Sequence, residues 1–135
     1  MTPKEYVKRF YESDFANETT VIDNYLHKDC LLHWSSSKGF SVLKFNDIKD
    51  LFLDISRTYE SFRVEISHLL ADENFVTTRY TVHVRTIEDP DEEQPMAHFI
   101  TIWELKDNKL YRGYEISQQA DVSLESLKSF SKIKV

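Results

Sequence analysis

From Ser61 onward the apolar side chains of this chain recur at every second residue, whereas the segments before "NDIKDLFLDISRTYE" and around it repeat at three and four. That switch of period, from helix to strand, restricts the fold more than any other feature of the sequence. Four strand candidates follow it: "SFRVEISHLL", "NFVTTRYTVHVRTI", "MAHFITIWEL" and "KLYRGYEIS". They are separated by "ADEN", by an acidic Pro-containing loop and by "KDN", short connections of the hairpin kind. In the second strand Val76, Thr78, Tyr80, Val82 and Val84 share one face, and Thr77, Arg79, Thr81, His83 and Arg85 the other, so one side is buried and one polar.

The N-terminal part reads as helices. "TPKE" offers Thr2 as a cap, Pro3 in the first turn and Glu5 three residues after the cap, with Tyr6, Val7, Phe10 and Tyr11 on one face, so a helix to about Asp14 is expected. A short second helix is expected over about residues 20 to 27, ahead of a strand at "CLLHWS". A third, capped by Asn46, carries Ile48, Leu51, Phe52, Ile55 and Tyr59 at the spacing of a helix lying on a sheet. Beyond Asp121, "DVSLESLKSF" reads as a short capped helix or an ordered tail, and the final "SKIKV" is expected to fray. Helices followed by antiparallel strands predict an α+β fold in which the helices pack on one face of a curved sheet and leave a conical cavity.

At 135 residues, one domain over residues 1–135 is the expectation. Five of the acids behind the formal charge of -6 sit in "EDPDEEQP", leaving the rest close to neutral, so nothing supplies the basic surface that nucleic acid requires. No apolar run is long enough for a membrane helix. "MTPKEYVKRF" lacks an apolar signal core and Cys30 is the sole cysteine, which together predict a cytoplasmic protein. Gly39 and Gly113 are the only glycines, which excludes Gly-rich phosphate loops and a G-x-S-x-G elbow. His27, His33, His68, His83 and His98 show no ligand-pair spacing, so neither a metal nor a cofactor is expected.

Taken in order, "EYVKRFYES", "VIDNYLHKDCLLHW", "NDIKDLFLDI" and "FITIWELKDNKLYRGYEIS" resemble the nuclear transport factor 2-like superfamily, over about residues 3 to 121. That superfamily includes SnoaL-type polyketide cyclases, ketosteroid isomerases and limonene epoxide hydrolases. The resemblance implies a cystatin-like cone, three N-terminal helices packed on a strongly curved antiparallel sheet, often paired into a dimer through the sheet's outer face. It also implies positions for isomerase machinery, which in this chain are filled by Phe10, Trp34 and Thr101. None of the three can act as the isomerase's Tyr, Asp base or protonated Asp, so that chemistry is not expected.

The same alignment sets strand parity. Leu32 and Trp34, Thr78 to Val84 at alternate positions, Phe99, Thr101, Trp103 and Leu105, and Tyr111, Gly113, Glu115 and Ser117 are expected to face the cone. The plain account of the aromatics is a packed core. The functional account makes Phe10, Trp34, Tyr80, Phe99, Thr101, Trp103 and Tyr111 the walls of a site for an apolar or aromatic small molecule. Glu115 is the candidate catalytic residue: facing inward, its carboxyl must be paired, hydrogen-bonded or raised in pKa, whereas a one-residue slip sends it to solvent beside Arg112 or Arg79. Such a slip would bring His33 and His98 into the cavity instead; as aligned, they lie on the outer face. Ile100, Ile102, Tyr114 and Ile116 share that face and predict a homodimer. Three functions therefore stand: a small-molecule binding protein foremost, an acid–base enzyme on a hydrophobic substrate as the alternative, and a protein-interaction module third.

Overall fold

A computed structural model describes residues 1–131; of the "SKIKV" expected to fray, Ser131 is held by its amide and hydroxyl on the Lys128 carbonyl, and positions 132 onward lie outside the described residues. In chain order the elements are α1 (Pro3–Glu12), α2 (Val21–Tyr25), β1 (Leu26–Ser36), β2 (Gly39–Lys44), α3 (Phe45–Thr58), β3 (Tyr59–Asp72), β4 (Phe75–Thr86), β5 (Gln94–Lys106), β6 (Lys109–Gln119) and α4 (Leu124–Ser129). This is the expected α+β cone. Among the described residues no helix is long and apolar enough to cross a membrane.

The start of α1 follows from its first residues. Thr2 Oγ1 accepts the Glu5 amide at 3.2 Å while the Thr2 amide donates to Glu5 Oε2 at 3.4 Å, satisfying two of the orphan donors at the helix start. Val7, Phe10 and Tyr11 are the buried face. The helix stops at Glu12, two residues short of expectation, because Ser13 is extended and its hydroxyl donates back to the Arg9 carbonyl. α2 also ends early, since Leu26 and His27 already belong to β1. For α3 the cap is Lys44 rather than Asn46. The Asp47 carboxylate accepts the Lys44 amide at 2.9 Å, which sets the helix start ahead of Asn46.

The six strands form one sheet in the order β2-β1-β6-β5-β4-β3. All neighbours are antiparallel except β1 and β6, which are parallel and far apart in sequence, so no hairpin dictates their direction. The exposed edge strand β2 has no counterpart in the sequence expectation. Asp107 and Asn108, both at positive φ, make the two-residue turn between β5 and β6, a twist that suits a tight hairpin. Register shifts interrupt the ladders of β3 with β4, β4 with β5, β5 with β6 and β1 with β6. Each bulge bends its strand, and together they curl the sheet around α1 and α3.

On the concave face Val76, Val82, Trp103 and Leu110 are buried with Val7, Phe10 and Ile48 from the helices. On the convex face α4 docks through a three-layer stack: the Phe130 ring lies 4.1 Å from that of His98, nearly parallel to it, and the Arg79 guanidinium sits 3.6 Å from the Phe130 centroid. Ile100, Ile102, Tyr114 and Ile116 stay exposed there, the strip on which the homodimer expectation rests.

Gly113 is required by space rather than by backbone angle. A Cβ there would lie 2.6 Å from Leu32 Cδ1 and 2.7 Å from the Trp103 ring, which lies flat across the glycine. Gly113→Ala is expected to lower the unfolding free energy by about 1–3 kcal/mol, the range for overpacking a filled core, as read by urea denaturation. An unchanged midpoint would show that Trp103 is free to move aside.

Candidate functional site

Between the concave face of the sheet and helices α1 and α3 lies a cavity of about 310 Å³. Phe10, Tyr11 and Phe15 close it on one side, Ile48, Leu51, Phe52 and Ile55 on another, and Trp34, Tyr80, Phe99 and Trp103 form the sheet wall. Asp54, Thr58, Tyr59, Phe62 and Met96 also line it, with Asp54 largely exposed and so at the rim. The walls are overwhelmingly apolar, and Glu115 is the one carboxyl set among them away from the rim.

β6 brings Glu115 inward because it lies two residues from Gly113, whose missing side chain leaves room for Trp103. Glu115 Oε1 accepts hydrogen bonds from Thr101 Oγ1 at 2.8 Å and Tyr80 Oη at 3.1 Å. Each of those hydroxyls has one proton, so with both given to Glu115 their mutual approach of 3.2 Å leaves their oxygens free to accept. Tyr11 stands behind them: its oxygen accepts the Trp103 indole N–H at 2.9 Å, and its ring leans on Tyr80 at 4.6 Å between centroids. Glu115 Oε2, by contrast, receives no hydrogen bond from the described residues and is not enclosed by protein, so it looks into the cavity.

Burial pushes the Glu115 carboxyl up to about 7, against the pull of the Thr101 and Tyr80 hydrogen bonds, which favour the ionised form. Burial, followed by the nearby Glu115 charge, raises both Tyr80 and Tyr11, so both phenols keep their protons and remain donors throughout the neutral range. When Glu115 is protonated the proton belongs on Oε2, because Oε1 already takes two donors. A group that half-ionises near neutrality with one oxygen open to an apolar cavity has the properties of a general acid or base.

A family model of the SnoaL-like domain matches residues 7–113. The chain belongs to the SnoaL-like family. Its fold is shared with solved structures at low identity. IdmH, a putative polyketide cyclase from Streptomyces antibioticus, is 11% identical over 96% of this chain and 98% of that one, with a TM-score of 0.69. An LEH-like epoxide hydrolase from M. tuberculosis is 17% identical over 95% and 88%, with a TM-score of 0.68. A putative polyketide cyclase from Acidithiobacillus ferrooxidans is 13% identical over 95% and 93%, with a TM-score of 0.64. No curated protein matches the sequence significantly. The resemblance to the nuclear transport factor 2-like superfamily therefore holds.

Of the residues singled out from sequence, the SnoaL-like cone brings Phe10, Trp34, Tyr80, Phe99, Trp103 and Glu115 together on the cavity wall. Thr101 is fully buried behind the wall and reaches the site through Glu115. Tyr111 is outside it. The β5–β6 ladder pairs Glu104 with Arg112 but Leu105 with Leu110, so Tyr111 is the extra residue of a bulge and the inward place goes to Leu110. Tyr111 packs instead on His27 at 4.9 Å and under the Arg112 guanidinium at 3.8 Å. His33 and His98 stay on the outer face, His33 stacked on Tyr114 at 4.8 Å and His98 beneath Phe130. Tyr11 is the functional residue that the sequence reading passed over; a phenol on the buried face of α1 demands a hydrogen-bond partner, and that demand was its signal.

A carboxyl raised in the folded state holds its proton there at pH values where the unfolded chain has lost it. Stability contributed by that proton is present below the ordinary glutamate value of 4.5 and is lost as pH rises to about 7. Urea titrations of wild type and Glu115→Gln across this window are expected to diverge, the Gln variant gaining up to about 3 kcal/mol relative to wild type by about pH 8. Parallel pH profiles would place Glu115 in water.

Proposed function

We propose that the cone is a binding site for a small, largely apolar, ring-bearing molecule whose one polar group meets Glu115. The observation that carries this reading is the pairing of an apolar cavity of about 310 Å³ with an inward carboxyl oxygen that no donor among the described residues claims. Pockets of this kind gain affinity from apolar walls and orientation from a few polar atoms. Trp34 is already occupied in that sense, its indole N–H donating to Ser117 Oγ at 2.8 Å, so it offers a ring face and not a donor.

A second reading has one specific observation in its favour. With Glu115 poised near 7, the same carboxyl is able to take a proton from a bound molecule and return it, which supports an acid–base enzyme of the isomerase, cyclase or hydrolase kind. Fold likeness to a putative polyketide cyclase and an epoxide hydrolase does not choose among these activities, since one fold hosts many.

The bicyclic ketone 2-tetralone in deuterated water separates the two. Saturation-transfer NMR reports whether it binds, and loss of its α-proton signals reports whether it is deprotonated. A proton-transfer site exchanges those protons faster than buffer, at a rate that rises with pH through about 7, and Glu115→Gln slows it by about 100-fold or more. Binding without exchange leaves the protein a binder. Neither binding nor exchange removes both pocket readings and turns attention to the exposed outer strip as an interaction surface.

A further inference from the structure

The cavity is one-sided in charge. Among the described residues its lining contains two carboxylates, Asp54 at the rim and Glu115 inside, and no lysine, arginine or histidine. Nor does any cation among the described residues act on Glu115: burial and the two hydroxyl donors account for its behaviour. A buried carboxylate without a counter-ion is expensive: the group either takes up a proton or is matched by a positive charge from outside the protein.

The sheet register supplies the rest. On β1 the residue opposite Glu115 is Trp34, and on β5 it is Thr101, so Phe99 and Trp103 flank that position two residues to either side on the same face. Tyr80 lies flat against Phe99 at 5.1 Å between centroids, with the planes 9° apart. Glu115 therefore has Trp34, Phe99 and Trp103 as neighbours on the lined face and Tyr80 bonded to its Oε1, and aromatic rings carry the negative end of their quadrupole on their faces. Tethered hydroxyls and ring faces attract no anion, and a neutral carbonyl finds a donor here only when Glu115 is protonated. An ammonium group is attracted by the carboxylate and the ring faces at once.

We propose that the cavity selects a cationic ligand, a tertiary or quaternary organic ammonium whose charge sits against Glu115 Oε2 within the cage of Trp34, Tyr80, Phe99 and Trp103; this rests on the pocket reading above. Glu115 must ionise to receive it. The titratable groups facing that carboxyl are Tyr11 from α1 and Tyr80 from β4, with Asp54 of α3 and Tyr59 of β3 further out at the rim; β1 and β5 place none on the lining. Both inner phenols stay protonated, so of these inner groups it is Glu115 that changes charge, around pH 7.

Phenyltrimethylammonium and its uncharged carbon isostere tert-butylbenzene test this, with fluorescence as the readout, since both tryptophans of the chain line the cavity. The cation is expected to bind more tightly as pH rises, by about tenfold per pH unit below 7 and level above about pH 8, while the isostere does not. Glu115→Gln, shown to be folded by circular dichroism, loses that pH dependence and the preference for the cation. Affinity for the cation that falls with rising pH, or that is no greater than for the isostere at about pH 8, overturns the inference. Binding of the isostere alone overturns it and leaves the pocket reading standing; binding of neither removes both.

Discussion

The arrangement of this molecule depends on one uncompensated charge, the Glu115 carboxylate inside an apolar cone. Its Oε1 is held by Thr101 and Tyr80, its Oε2 is left to the cavity, and no cation among the described residues is set against it. To hold a carboxyl there the chain needs hydroxyls on two different strands at the right height, and it needs β6 in one register only. The register comes from Gly113, which lets Trp103 and Leu32 close over the strand two residues away. Slipping β6 by one residue would bury Arg112 and Tyr114 under α1 and α3 and send Glu115 to water. The same constraint thus keeps the cavity apolar and keeps the acid inside it.

Curvature is the second requirement, and it explains both a success and a failure of sequence reading. Alternation along β4 and β5 was legible because those strands keep strict parity through Tyr80, Val82, Phe99, Thr101 and Trp103, all of which lie inward. The inward direction of Glu115 was legible for the same reason, and so were the Thr2 capping box and the Asp107–Asn108 turn, which are local. Tyr111 was misassigned because the bulge that bends β6 inserts one residue, and a bulge leaves no mark on a pattern of alternating apolar residues when Leu110 and Tyr111 are both apolar enough to face either way. β2 escaped notice because an exposed edge strand has no buried face to reveal its period. The start of α3 moved because Asp47, not Asn46, supplies the capping oxygen. Tyr11 was visible only as an apolar position, since its partners Trp103 and Tyr80 come from strands distant in sequence.

Membership of the SnoaL-like family places this cone in a fold that recurs among putative cyclases and epoxide hydrolases at 11–17% identity. The positions that the sequence resemblance sets against isomerase machinery hold Phe10, Trp34 and Thr101, and the polar groups of the cone gather around Glu115, Tyr80, Thr101 and Tyr11. Two of these, Tyr80 and Thr101, touch the carboxylate directly, and Tyr11 stands behind them on the Trp103 indole. The layering gives the carboxylate a fixed direction without filling the cavity in front of it, which is the property a binding site and a proton-transfer site both need.

The central claim is that Glu115 lies inside the cone and titrates near neutrality. Carbon NMR of protein labelled at the glutamate carboxyls, with Glu115→Gln used to assign the signal, measures this directly. One glutamate is predicted to change its carboxyl shift with a midpoint at about 7, well apart from the others, and to be missing from the variant. A Glu115 signal with a midpoint near the ordinary glutamate value of about 4.3 would mean a carboxylate in water, and would contradict the account.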